Sequence, residues 1–258
     1  MSRAAKLLLL LVGAASGAVL LLIAVRPERV SGEVEPIRLD FETGDLSQFD
    51  IVQRAAPDRL TVVRAPTRQG AYAARFEVRS GDLQQATTGI RAELIAELDD
   101  ARKARAGDER WYTWSSRFER NYPAVDLWQT FVQWKNDGPG SPPLAMTVQG
   151  DEIRLSGGQQ NGFQIYWRAP IEPGRWHDFV AHMRWSPDPD RGLIELWHQG
   201  QRVVPPTRTA TMYRDEQGRS IPNYLKIGLY RHPGIKQRQV LFHDGLRVAS
   251  TRAALGGE

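Results

Sequence analysis

Asn223-Tyr224-Leu225-Lys226-Ile227-Gly228-Leu229-Tyr230-Arg231 alternates along its length, with Leu225, Ile227 and Leu229 on one side and Tyr224, Lys226, Gly228 and Tyr230 on the other. Successive side chains of a strand point to opposite faces, so this period of two predicts a half-buried β-strand with an apolar side and a polar, cation-bearing one. Two more stretches repeat the pattern. In Gly89-Ile90-Arg91-Ala92-Glu93-Leu94, Arg91 and Glu93 share a face against Ile90, Ala92 and Leu94; in Leu127-Trp128-Gln129-Thr130-Phe131-Val132-Gln133-Trp134-Lys135, Gln129, Phe131, Gln133 and Lys135 fall together.

Working outward, short runs rich in Val, Ile, Phe, Tyr and Trp recur from Ile37 onward, separated by Gly, Pro, Asp and Asn, and helical periodicity is scarce. About a dozen such runs without helical crossovers predict an all-β chain of antiparallel strands, packed as two sheets in a jelly-roll sandwich. Gly150-Asp151 predicts a tight hairpin turn, and Pro142-Pro143, Pro187 to Pro189 and Pro205-Pro206 predict loops. No linker or internal repeat divides residues 31–258, which read as one domain.

The N-terminus is a different material. Leu7 to Val25 runs without a charge between Lys6 and Arg26, close to the roughly 20 residues that span a bilayer as a helix. Residues 1–30 therefore read as a hydrophobic helix, either a cleaved signal peptide or a signal anchor, and both place the remainder outside the cytoplasm. Membrane contact is expected through this segment alone. A pI near 9.5 invites a nucleic-acid reading, yet from Ser31 onward the chain has 30 basic and 29 acidic residues, so no global field attracts a polyanion and no nucleic-acid partner is expected. Cysteine is absent, which excludes disulfides, thiol catalysis and zinc-thiolate sites. After Ser31 there are 26 arginines but four lysines, and two of the four are Lys135 and Lys226, inside the patterned strands. Ammonium and guanidinium differ in shape and in how readily the proton is lost, so these lysines mark a local requirement.

Arg91-Ala92-Glu93-Leu94, Gln133-Trp134-Lys135 and Tyr224-Leu225-Lys226-Ile227-Gly228-Leu229-Tyr230, in this order and spacing, resemble the motif strands of jelly-roll polysaccharide lyases: the heparin, glucuronan and alginate lyases. The resemblance covers about Leu39 to Ala249 and implies a concanavalin-like sandwich acting on an acidic polysaccharide, as a monomer, with no cofactor needed for catalysis. It implies that Gln133 and Arg91 neutralise the carboxylate of a uronic acid, so that the weakly acidic C5 proton can be removed. Tyr230 is implied as the acid that protonates O4, and in syn-elimination as the base too, with Lys226 near enough to favour the phenolate. Substrate contacts are expected from Glu93, Gln129, Tyr224, His232 and Trp128. One position departs from the pattern: many relatives carry histidine where this chain has Lys135. Lys135 is expected to bind or neutralise a carboxylate, and His177, His182 and His232 remain alternative bases.

Near the start, Phe41-Glu42-Thr43-Gly44-Asp45-Leu46 is similar to the opening strand of carbohydrate-active jelly rolls, which implies a structural calcium held by Glu42, Asp45 and Asp244. Ordinary turn acids are the plainer alternative. Two other functions compete with a lyase. A glycoside hydrolase needs paired carboxyl groups, and the Glu-x-Asp-x-x-Glu strand of jelly-roll glucanases is missing. A non-catalytic glycan-binding module is compatible with the fold and with the missing histidine.

Overall fold

The computed structural model describes residues 36–82, 89–96, 99, 102–158 and 162–256; the hydrophobic segment 1–30 lies outside them. Two sheets form, as predicted, and every strand pairing is antiparallel. The eight-stranded sheet runs β13 (Gln201–Arg208), β12 (Leu193–His198), β11 (Trp176–Arg184), β6 (Glu109–Phe118), β15 (Gln239–Ala249), β4 (Ala73–Val78) and β3 (Leu60–Val63), with β1 (Ile37–Leu39) also paired to β15. The seven-stranded sheet runs β10 (Gln164–Pro170), β9 (Glu152–Gly157), β8 (Leu144–Gly150), β7 (Val125–Asn136), β14 (Asn223–Arg231), β5 (Ile90–Ala96) and β2 (Ile51–Gln53). The three patterned stretches, far apart in sequence, are thus the adjacent strands β7, β14 and β5.

Aromatic side chains from the inner faces hold the sheets together. Trp134 of β7 meets Tyr112 and Trp114 of β6 edge-on, with centroids 5.4 and 6.0 Å apart, and Phe131 meets Phe118 at 5.5 Å. Each such pair contributes about 0.5–1.5 kcal/mol beyond its area burial.

The register of β7 against β8 shifts twice, and the shift between Thr130 and Val132 has large consequences. Against β8, Val132 pairs with Met146 and Thr130 with Thr147, so Phe131 is an extra residue, and both Phe131 and Val132 pack in the core. An extra residue inverts the alternation beyond it. Trp128 and Thr130 therefore join Gln133 and Lys135 on the outer face. Gln129 turns inward, where its Oε1 accepts from Tyr122 Oη at 2.7 Å and Gln239 Nε2 at 2.6 Å. The prediction that Gln129 and Phe131 share the face of Gln133 is corrected by this bulge.

A second bulge keeps β14 in order. Gly228 and Leu229 together oppose Phe131, between the Ile227–Val132 and Tyr230–Thr130 pairs, while β14 stays in step with β5 throughout. Gly228 adopts φ +147°, and its carbonyl accepts from His243 Nε2 of β15 at 3.3 Å. Burial pushes His243 down to about 3, so the ring is neutral; Ser116 Oγ lies 3.0 Å from its Nδ1.

Three strands escaped the sequence reading. β2 and β3 have three and four residues, too short to show a period. β13 contains Pro205-Pro206, read as a loop; as the edge of its sheet, with its register against β12 shifted there, it tolerates the missing N–H groups.

Candidate active site

The outer face of the seven-stranded sheet carries a cleft of about 910 Å³. Arg91 of β5, Gln133 and Lys135 of β7, and Tyr224, Lys226 and Tyr230 of β14 all line it, together with Trp128 and His232. Its cations are Arg91, Lys135, Arg154 and Lys226, and among the described lining residues there is no aspartate or glutamate.

Glu93 lies beneath this floor. It is 2% exposed, and its carboxylate accepts from Gln133 Nε2 at 2.5 Å, from Lys226 Nζ at 2.7 Å and from Arg91 Nη1 at 3.2 Å. With both oxygens engaged and no exposed surface, it does not fit the substrate contact predicted for it. The register accounts for this gathering: Arg91 stands two residues before Glu93 on β5, and Lys226 and Gln133 pair with each other across β14 and β7.

Tyr230 stands at the other end of the motif, opposite Arg91 on one side and Thr130 on the other. The Arg91 guanidinium lies 4.1 Å from the centroid of its ring, and Trp128 packs edge-on at 4.9 Å. The cation stacked on this phenol is therefore Arg91, while Lys226 is tied to Glu93. Trp128, 37% exposed, also meets His232 edge-on at 5.8 Å. His232 Nδ1 accepts the Gly234 N–H at 2.9 Å, which directs its Nε2 elsewhere.

Lys135 is held differently from the expectation. Its ammonium donates to the carbonyls of Asn136 and Gly138 at 2.8 and 2.6 Å, with Asn136 Oδ1 at 3.3 Å, so its three N–H groups brace the turn that follows β7. It contributes positive charge to the cleft wall, not a direct carboxylate ligand. Burial, with the charge of Lys226, pushes it below the ordinary lysine value. Burial pushes Tyr224 up to about 12, keeping it a neutral hydrogen-bond donor.

The other candidate bases belong to the opposite sheet. His182 of β11 is bonded to Glu195 and Glu109, both at 2.6 Å, and stacks on Trp111. His177, 1% exposed, accepts the Glu172 N–H and faces His198 at 3.0 Å. Burial, then the neighbouring His198, lowers His177 to about 4, well below the unfolded value of about 6.5. Between these values the unfolded chain binds more protons, so this contribution is complete at pH 7 and is lost as pH falls from about 6.5 toward 4, by roughly 3 kcal/mol. The urea midpoint should drop over that window and drop less in His177→Gln; parallel curves for the two proteins would refute the assignment.

The three acids predicted to hold calcium divide. Asp45 is exposed and spent on its own turn, accepting from Ser47 N and Oγ and Thr43 Oγ1, which holds its carboxyl below the usual range. Glu42 accepts the Ala71 and Tyr72 amides, and Asp244 Oδ2 accepts those of Arg68 and Gln69, so both clamp one loop. Asp244 Oδ1 is buried without a hydrogen-bond partner, and burial pushes this carboxyl up to about 6. That orphaned oxygen suits a cation. Among the described residues, however, no three His, Cys, Asp or Glu side chains form a group able to hold one, so the remaining ligands would have to be carbonyls or water.

Sequence reasoning missed Gln53, Thr130, Thr147, Arg154, Ser156 and Phe163 of the cleft lining. The signal for three was present: Leu144, Met146 and Val148 alternate with Ala145, Thr147 and Gln149, and Ile153 and Leu155 alternate with Arg154 and Ser156.

A two-sheet antiparallel jelly roll is shared by lectins, cupins and viral capsid proteins, so the cleft, not the fold, carries the function. The chain belongs to the polysaccharide lyase family, whose model, described as Polysaccharide lyase, matches residues 41–247. No curated protein matches it. Among solved structures it is similar to an endo-β-1,4-glucuronan lyase from the fungus Trichoderma reesei, with 18% identity, TM-score 0.65, and 82% of this chain and 95% of that one covered. An alginate lyase from Pseudomonas aeruginosa has 18% identity and TM-score 0.52, with 76% and 87% covered. A β-glucanase catalytic domain from Podospora anserina has 15% identity and TM-score 0.56, with 81% and 88% covered. One fold thus carries both elimination and hydrolysis, and the side chains must decide between them.

Proposed function

We propose that this polysaccharide lyase cleaves a uronic-acid-containing polysaccharide by β-elimination. The observation that carries the reading is the cleft lined by Arg91, Lys135, Arg154 and Lys226 and, among its described lining residues, by no carboxylate. Such a wall attracts an anionic chain, and its described residues do not offer the two flanking carboxyl groups a glycosidase requires.

Arg91 and the free N–H of Gln133 meet the C6 carboxylate and stabilise the charge that grows on it as the C5–H bond breaks. The Tyr230 oxygen, on the same face, is the base that takes the C5 proton. The electron pair of that bond becomes the C4–C5 double bond, the C4–O4 bond breaks, and the proton passes from Tyr230 to O4. The products are a 4,5-unsaturated uronate and a new chain end bearing hydroxyl. The exposed Trp128 and Phe163 offer apolar ring faces for neighbouring sugars.

Residues 31–258 incubated with glucuronan, alginate and glycosaminoglycans should generate ultraviolet absorbance from the unsaturated uronate with at least one polymer. Flat absorbance throughout, with binding retained, would replace this reading with that of a glycan-binding module. Export through residues 1–30 belongs to the same proposal, because such polymers lie outside the cell.

A structural calcium at Glu42 and Asp244, without Asp45, completes it. It would neutralise a buried carboxylate and lock the loop 68–72, so millimolar calcium should raise Tm by several degrees and a chelator should reverse the shift, with Asp244→Asn abolishing the response. An unchanged Tm would leave the two acids as loop clamps only.

A further inference from the structure

Glu93 touches neither solvent nor, on the reading above, substrate, yet three of the groups that line the cleft are bonded to it. We propose that Glu93 is a positioning residue, whose carboxylate orients the Gln133 amide and keeps Lys226 charged so that the cluster accepts one sugar carboxylate. This inference rests on the proposed elimination.

The first half follows from hydrogen-bond chemistry. A carboxylate only accepts, so the edge of the Gln133 amide facing Glu93 must be its NH2, as the 2.5 Å Nε2 contact has it. One N–H is consumed there and the second is left for the substrate. A neutral amide at position 93 presents a donor and an acceptor and no longer dictates which way Gln133 faces. A carboxylate-binding group turned the wrong way would present its oxygen to an anion.

The second half follows from charge. Lys226 is 5% exposed, and burial, together with the positive Arg91, drives its ammonium toward the neutral form. Around it stand Arg91 and Glu93 on β5, Lys135 on β7, and Tyr224 and Tyr230 on its own strand, with Asp137 beyond, paired to Lys103. Glu93 is the acid of this set that contacts Lys226, and its carboxylate opposes the deprotonation. Arg91, Glu93 and Lys226 together carry one net positive charge, which a single uronate cancels. Without Glu93 the buried Lys226 loses the carboxylate that opposes its deprotonation.

The test compares pH profiles of kcat and KM for wild type, Glu93→Gln, Glu93→Asp and Lys226→Met on a polymer the wild type cleaves. Glu93→Gln is expected to lower kcat by about 10- to 100-fold, through misorientation of Gln133. KM should stay level or fall at acid pH, and the alkaline limb of kcat/KM should move down by about one pH unit or more as Lys226 loses its proton. Glu93→Asp should restore the wild-type limb with part of kcat, and Lys226→Met should remove the limb that Glu93→Gln displaced. A uniform loss in Glu93→Gln, with a profile superposable on wild type, would overturn the proposal. If Glu93→Gln fails to fold, Lys226→Met decides: a limb that persists there overturns it. Calorimetric binding of a saturated uronate oligomer reads the same pH dependence without turnover. A wild type inert on every polymer therefore sinks the elimination reading, while binding that titrates alike in wild type and Glu93→Gln sinks this one.

Discussion

Tyr230→Phe should lower kcat on the cleaved polymer by about 10²–10⁴-fold, the range a positioned proton-transfer group supplies, with KM nearly unchanged. The change removes one oxygen and leaves the ring, so the stacked Arg91 at 4.1 Å and the edge-on Trp128 at 4.9 Å keep their packing. Polymer binding should therefore persist and the urea midpoint should fall far less than kcat, separating a chemical loss from a structural one. Tyr230 carries this expectation because the alternatives are spent elsewhere. Lys135 is bonded to the turn behind it, His177 and His182 belong to the opposite sheet, and Glu93 is buried under its three donors. Among the described histidines, His232 alone lines the cleft. A loss below about tenfold would move the proton transfer to it, and His232→Gln would then show the larger effect.

How far the sequence reveals this site depends on where strand alternation survives. On β5 and β14 it survives intact: Arg91 and Glu93, and Tyr224, Lys226 and Tyr230, share the faces that a period of two assigns them. On β7 it survives only from Val132 onward. The single extra residue at Phe131 sends Gln129 into the core and brings Trp128 and Thr130 out, and nothing in the string Gln129-Thr130-Phe131-Val132 announces a bulge. Depth is equally invisible. Arg91 and Glu93 alternate alike, but three donors converge on Glu93 from three strands, which only the pairing of β5, β14 and β7 brings about. Polar alternation in β8 and β9 is legible in the sequence and puts Thr147, Arg154 and Ser156 on the cleft face. The acids of the opening strand mark the opposite limit. Their spacing cannot tell an oxygen aimed at a cation from one caught by its own turn, and Asp45 proved to be of the second kind.

Gly228→Val should destabilise the domain by about 2–4 kcal/mol, read as a lower urea midpoint, and should reduce activity further than the unfolded fraction explains. Gly228 has φ +147°, a region L side chains rarely adopt, and a Cβ there would meet the Ala92 carbonyl oxygen, Glu93 Cα at 2.7 Å and the Phe76 ring at 3.0 Å. Two of the three obstacles are backbone atoms of β5, so no rotamer change relieves them, and Gly228→Ala should already show most of the loss. Relief requires β14 to shift against β5, which would part Lys226 and Tyr230 from Glu93 and Arg91 and pull the Gly228 carbonyl from His243. The glycine thus lets β14 absorb the offset against β7 while its backbone packs directly on Ala92 and Glu93 of β5. A variant that unfolds at the wild-type urea concentration with kcat intact would mean that the bulge adapts freely, and that the alignment of Tyr230 with Arg91 is maintained by something other than the register of these strands.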